Sequence, residues 1–267
     1  MIDSATLSFK PFTDPRSETN QGFSEGLSGP LLIATAKCNS QVTISKYNSF
    51  CNMGRKYIIK FSYHHNAANE LVGCWLGYML GAPTPHAYLL KPSKKFEHKY
   101  GVAISFIDSL KPLDPTNLSD QMKEDICAQF ALNILISTDD NVQMSTSDGR
   151  IYSMDFSEAF YVSDSRMLDL FLLSENLGFT WAENKLKSFR IYQASLSFDT
   201  VCEFATELNL DPLEMKDGTI AAAKKILDIS EDEIIRLSDE LSNMYPVGYA
   251  VYYEECIHAM QEKMKAF

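Results

Sequence analysis

The spacing of apolar residues changes period along this chain, and that change limits the folds open to it. From Leu31 to Phe61 the runs are short and strand-like: Leu31-Leu-Ile-Ala-Thr35, the alternating Gln41-Val-Thr-Ile-Ser45, and Lys56-Tyr-Ile-Ile-Lys-Phe61. Asn39-Ser40 and Asn52-Met-Gly54 mark turns between them. A helical stripe follows, in which Leu71, Cys74, Trp75, Tyr78 and Met79 share a face between Ala67 and Leu80. Gly81 supplies a stop, and Pro83-Thr-Pro85 forbids continuation. Two further strand-like runs, His86 to Leu90 and Gly101 to Ile107, lead to a linker punctuated by Pro112 and Pro115.

Beyond the linker the period is helical. Helices are expected over Ser119 to Ile136, Met167 to Leu173, Trp181 to Tyr192, Phe198 to Leu208 and Gly218 to Leu227. Ser230-Glu-Asp-Glu233 is a capping box opening a helix through Asn243, because Ser230 and Glu233 can exchange bonds with orphan backbone donors. A closing helix after Pro246 carries Tyr252, Cys256, Met260 and Met264 on one face, a stripe of core type. Residues 1–28 are polar, with Pro11 and Pro15, and read as an irregular arm or extended lead-in. The fold class is therefore α+β: a β-rich first part with one internal helix, then a helical second part.

The 267 residues suffice for one large domain or two lobes. A formal charge of −11 repels phosphate backbones, so direct nucleic-acid binding is not expected, although a local basic patch stays open. The longest apolar runs, Leu71 to Leu80 and Phe130 to Ile136, fall short of the roughly 18–20 residues needed to cross a bilayer. Met1-Ile-Asp-Ser4 has neither the basic start nor the apolar centre of a signal peptide, so a cytoplasmic protein without a membrane partner is expected. The six cysteines form no Cys-x-x-Cys pair, and read as reduced core or half-buried thiols rather than a zinc site. His64 and His65 are expected on opposite sides of a strand.

The residues with chemistry begin with Lys60. Alternation puts it on one strand face with Ile58, where it must reach water or meet an anion. Glu70 opens the next helix, either as a first-turn acid favoured by the helix dipole or as the partner that orients Lys60. Tyr152-Ser-Met-Asp155-Phe156 is a short β-like run ending in an acid, with a turn at Ser147-Asp148-Gly149 before it and Thr138-Asp139-Asp140-Asn141 further upstream. Each piece also has an ordinary reading as turn or cap chemistry. In this order they are what a kinase needs: a lysine for the phosphates of ATP, an acid at Asp139 or Asp140 for the acceptor hydroxyl, and Asn141 and Asp155 as ligands of Mg²⁺. Glu158 is a neighbouring acid or a helix start. Backbone groups from Ser105 to Asp108, Ile107 among them, stand where an adenine edge would bind.

These residues resemble the HipA-like kinases, relatives of the protein kinase and phosphatidylinositol kinase folds. The likeness rests on Lys56-Tyr-Ile-Ile-Lys60-Phe, on Asn69-Glu70 through Gly81-Ala-Pro-Thr-Pro85, on Thr138 through Asp155-Phe156-Ser157-Glu-Ala-Phe160, and on Met244-Tyr-Pro246 with the closing helix. It spans roughly residues 22 to 267. It implies a two-lobed protein kinase-like fold, with an arm at 1–21, a small lobe bearing the ATP lysine at 22–110 and a helical lobe at 111–267. It further implies Mg²⁺-dependent transfer of the ATP γ-phosphate to a protein Ser or Thr. The target would be an aminoacyl-tRNA synthetase or translation factor, with restraint by an antitoxin-like partner.

Gly26-Leu-Ser28-Gly29-Pro30 matches the region with which such kinases cover phosphates, which makes Ser28 a candidate for self-phosphorylation. The chain departs from the family in its catalytic loop, where one residue separates Asp139 from Asn141 in place of the usual four, and position 144 is Met. The loop is either shortened, or served by a shifted acid, or able to bind nucleotide without transferring phosphate. Ser157 stands where a Gly is usual, and the extra N-terminal subdomain of long members is not expected. Outside protein phosphorylation, transfer to a small molecule stays open. The acidic charge suits a cationic antibiotic better than an anionic lipid headgroup.

Overall fold

The structure, a computed structural model, describes residues 2–3, 7–11, 32–36, 40–44, 47–51, 55–62, 64–91, 100–136, 145–157, 159–161, 197–245 and 247–267. Its main sheet has six strands: β1 (Ile2–Asp3), β2 (Leu7–Pro11), β3 (Leu32–Ala36), β6 (Lys56–Ser62), β7 (Ala87–Lys91) and β8 (Tyr100–Ser105). Their order is β1-β7-β8-β6-β3-β2, antiparallel except for the β1–β7 edge. β4 (Ser40–Ile44) and β5 (Tyr47–Cys51) pair as a separate hairpin.

Residues 2–3 and 7–11, within the stretch read as an arm or lead-in, thus form the two sheet edges. Pro11 sits at the end of edge strand β2, where its missing N–H removes no ladder bond that a central strand would need. β5 has no counterpart among the sequence expectations.

Period-2 alternation explains the two faces of the sheet. In β6, Tyr57 and Ile59 are buried on one face, while Ile58 and Lys60 point to the other. Lys60 lies opposite Val102 and Ile58 opposite Ile104, so these four share a face. Val102 and Ile104 belong to the main core with α1 (His64–Leu80), which covers that face.

Helix α1 starts before the expected Ala67, and His64 and His65 are its first two residues rather than strand residues. It is buried on every side from Asn66 to Gly77, so it has no single apolar stripe. Tyr78, expected in the stripe, is 45% exposed because it lies where the covering ends. Gly81 stops the helix as anticipated: its φ is 79°, and the Ala82 and Gly81 amides donate to Gly77 and Tyr78 carbonyls in a Schellman closure.

Helix α2 (Asp120–Ile136) packs against α1 and is capped by Ser119, whose Oγ accepts from Met122 N at 3.2 Å. It also suspends the antiparallel hairpin β10 (Ser145–Ser147) and β11 (Arg150–Tyr152), which β9 (Lys111–Pro112) extends. Buried Asp125 accepts from Arg150 Nε and Nη2 at 2.8 and 2.9 Å and from Ile151 N at 2.9 Å. Gln129 Nε2 donates to Pro83 O and Ile151 O. The turn between the strands is Asp148-Gly149, with φ of 51° and 70°, the positive values a type I′ turn requires.

The later helices close the core. α3 (Pro212–Lys224) has Pro at its start and Asp211 as cap, accepting from Leu213 N and Glu214 N. α4 (Glu231–Ser242) opens with the Ser230–Glu233 capping box, as expected. α5 (Val247–Lys265) buries Tyr252, Cys256, Met260 and Met264 in the core that α1 and α2 share.

Over the expected helix from Phe198 to Leu208, only a short 3-10 helix, Thr200–Phe204, forms before turns. Asn209 takes up a left-handed φ of 53° there and ends the segment before Asp211. The helices expected over Met167 to Leu173 and Trp181 to Tyr192 lie outside the described residues. No helix among the described residues is long and apolar enough to cross a membrane.

Candidate active site

A charge on the helix-covered face of a sheet needs a partner, and among the described residues Lys60 has two. Its Nζ donates to Glu70 Oε1 and, at 2.9 Å, to Asp155 Oδ1. The lysine side chain is 18% exposed, Glu70 is 1% exposed and Asp155 is 59% exposed, so the pairs run from the core to the surface. Glu70 is not in the first turn of its helix, as the sequence suggested. It is the seventh residue of α1, deep in the interior, and the dipole role falls away. Its second oxygen accepts from Phe156 N at 3.2 Å. One buried carboxylate therefore fixes both the strand lysine and the backbone next to Asp155.

The electrostatics follow from this layering. Burial works against the charge of Lys60, but Glu70 and then Asp155 outweigh it and hold the ammonium pKa above its usual value. Burial raises the Glu70 pKa above the ordinary carboxylate value, with Lys60 opposing. For Asp155 partial burial pulls upward, and the charge and hydrogen bond of Lys60 prevail, leaving its pKa below the ordinary value. Asp155 is the anionic, outward-facing member of the set.

The backbone at Asp155 is unusual, with φ of 75°, and Phe160 also takes a left-handed φ of 65°. Non-glycine residues in this region cost about 1–3 kcal/mol each and persist where surroundings hold them. Here the holding is visible. Ser157 Oγ donates to Asp155 Oδ1 at 2.8 Å. Buried Asn69 donates from Nδ2 to Ser157 O and Ala159 O, both at 2.8 Å. Phe156 is buried against Gly73 of α1.

A Cβ at position 73 would stand 2.6 Å from Phe156 Cβ and Cγ, closer than such atoms approach. Gly73→Ala is therefore expected to lose about 1–3 kcal/mol through overpacking, against the usual helix gain of about 1 kcal/mol. Thermal unfolding checks this, and a stabilised variant would reject the contact.

The structure thus brings together Lys60, Glu70 and Asp155 from three separated segments. Ser105 is described but its N–H already donates to His86 O at 2.7 Å, and Phe106 N donates to Lys56 O at 3.0 Å. Ile107 follows on the segment leaving β8, with no hydrogen bond among the described residues. Ser28, Gly29, Asp139, Asp140, Asn141 and Glu158 lie outside the described residues. Asn69, Gly73 and Ser157 were not singled out for roles. Only the Asn69-Glu70 pair, two polar residues opening an apolar run, carried a local signal.

The sequence matches no protein-family profile and no curated protein. Among solved structures it is similar to a crystal structure of the proinflammatory kinase CtkA of Helicobacter pylori. The TM-score is 0.55 with 15% sequence identity, over 99% of this chain and 94% of that one. This is a likeness of fold, and it makes the mixed α+β architecture described above kinase-like.

Proposed function

We propose that this chain is an ATP-dependent protein Ser/Thr kinase of the HipA-like type, with a small β lobe ahead of a helical one. The observation that carries the reading is the convergence of Lys60, Glu70 and Asp155, partners separated by 10 and 95 positions along the chain. A lysine held charged by a fully buried acid, beside an exposed acid on a strained turn, suits triphosphate and metal better than it suits structure alone.

The roles follow from position. Lys60 would bind the α- and β-phosphates, with Glu70 keeping its ammonium oriented. The donor chemistry at Asp155 fits Mg²⁺: a hard carboxylate, exposed, with its hydrogen bonds to Lys60 and Ser157 both on Oδ1. Asn141 would be the second protein ligand. Bound Mg²⁺ supplies charge neutralisation of the phosphates. Asp139 or Asp140 would orient the acceptor hydroxyl and take its proton, Ser28 and Gly29 would cover the phosphates, and Ile107 would offer backbone to the adenine edge. Catalysis is then mostly positioning.

The substrate would be a protein hydroxyl, for which an aminoacyl-tRNA synthetase or translation factor is the candidate, with an antitoxin-like protein as restraining partner. A second reading, a nucleotide-binding pseudokinase, is favoured by the single residue between Asp139 and Asn141.

Intact mass after incubation with Mg²⁺-ATP, wild type beside Asp155→Ala, separates the two. A phosphate gained by wild type only supports the kinase and sends peptide mapping to Ser28. Tight ATP binding without transfer to itself or to candidate proteins supports the pseudokinase. Absence of nucleotide binding removes both.

A further inference from the structure

The closing helix reaches the candidate site. The Tyr253 hydroxyl donates to Asn69 Oδ1 at 2.5 Å, and both groups are buried. Asn69 has two donor hydrogens and one acceptor oxygen; its two carbonyl partners take both hydrogens, and the tyrosine donates to the oxygen. The carbonyls of Ser157 and Ala159 can only accept, so Nδ2 must face them and Oδ1 must face the tyrosine. Tyr253 itself is held by edge-on packing against Phe160, at 5.2 Å between ring centroids, and against Tyr252 at 5.3 Å. The Tyr252 hydroxyl donates to Phe160 O at 3.0 Å. Burial holds the Tyr253 pKa well above its usual value, so the phenol remains a donor.

Two adjacent residues of α1 thus divide the work. Glu70 grips Lys60 and the amide after Asp155, and Asn69 grips the two carbonyls that follow. Of the two, the second grip is the one that α5 touches directly.

We infer that Tyr253 is a positioning residue for Asp155: through Asn69 it fixes the Ser157 and Ala159 carbonyls, and so sets where the Asp155 carboxylate stands. Without the hydroxyl, Asn69 Oδ1 is a buried acceptor without a partner. The hydroxyl then no longer fixes the plane of the amide, so the Nδ2 bonds to the Ser157 and Ala159 carbonyls are held less firmly and the segment loosens. The link to metal binding rests on the kinase reading, but the hold on the backbone does not.

The test uses Tyr253→Phe in the full chain, with Asn69→Asp as a second variant that keeps the acceptor for Tyr253 and removes both donors. Met260→Ala controls for lost packing in the same helix. Hydrogen exchange is followed at Phe156 N and Ala159 N, which donate to Glu70 Oε2 and Phe156 O. In the ligand-free chain, Tyr253→Phe is expected to speed both amides at least about fivefold relative to Leu132 in α2. Met260→Ala leaves that ratio as in wild type. The Mg²⁺ concentration needed for ATP binding rises by a similar factor in Tyr253→Phe, while ATP affinity in the presence of a chelator is unchanged.

An unchanged exchange ratio, or one that rises equally in Met260→Ala, overturns the inference. Faster exchange with an unshifted Mg²⁺ requirement overturns it as well, because the bond is then structural only. A wild type that binds no ATP at any Mg²⁺ concentration removes the kinase reading instead, and the exchange ratio decides alone whether Tyr253 holds the segment.

Discussion

Asp155→Asn is expected to abolish Mg²⁺-dependent phosphoryl transfer, by about a thousandfold or more, while the chain stays folded. Asn keeps the size of the side chain and tolerates the left-handed φ of 75°. Ala at that φ would add roughly 1–2 kcal/mol of backbone strain, so Asn is the cleaner probe of chemistry. The ion pair with Lys60 disappears, but Asp155 is mostly exposed and such pairs are worth about 1 kcal/mol or less. Lys60 retains Glu70.

The pH dependence gives a second signature. The Asp155 pKa is lowered from 3.8, so its contribution to stability is present above that value and is lost as pH falls through the lowered one. The Asn variant lacks this contribution to the acid limb. Transfer assays with radiolabelled ATP beside thermal unfolding check both, and a variant that transfers phosphate at the wild-type rate would sink the assignment of Asp155.

The parts of the site that could be read from the sequence are those with a local cause. Lys60 was visible because period-2 alternation forced a cation onto an apolar face, and Asp155 because a strand-like run ended in an acid after a Gly-containing turn. Glu70 was visible as an acid but misplaced. An acid ahead of an apolar run looks the same whether it opens a helix or lies inside one, and only the residues packed around α1 distinguish the two.

The same holds for Asp125, an acid amid helical residues whose burial depends on Arg150 and Ile151 from a later hairpin. Tyr253 is 184 positions from Asn69 and sits in an aromatic-rich helix where nothing local sets it apart. The edge strands β1 and β2 escaped for a related reason: β1 is only two residues long, and the partners of both lie far along the chain.

The second large effect is expected from Lys60→Met. Met fills much of the lysine stem's volume and removes the charge, so among the described residues Glu70 keeps only Phe156 N as a partner in the interior. A buried charge left without its counterion costs about 3–5 kcal/mol, far more than the pair is worth as a whole. Burial already raises the Glu70 pKa above 4.5, and loss of the opposing lysine raises it further. An acid whose folded pKa exceeds its unfolded one is protonated first in the folded state. Its stability contribution is therefore full below the unfolded value and declines as pH rises through the folded one.

Urea melts of Lys60→Met should accordingly show a chain close to wild type near the unfolded Glu value and progressively weaker toward neutrality. Adding Glu70→Gln removes the ionisable group, and should flatten that slope and recover most of the stability at neutral pH. Transfer should remain absent in the double variant, since no cation is left for the phosphates. Stability of Lys60→Met that matches wild type at every pH would mean that Glu70 is not a buried partner of Lys60. Recovery of transfer in the double variant would mean that Lys60 serves the fold alone. Melting and transfer measured on the same two proteins therefore separate the structural role of this pair from its chemical one.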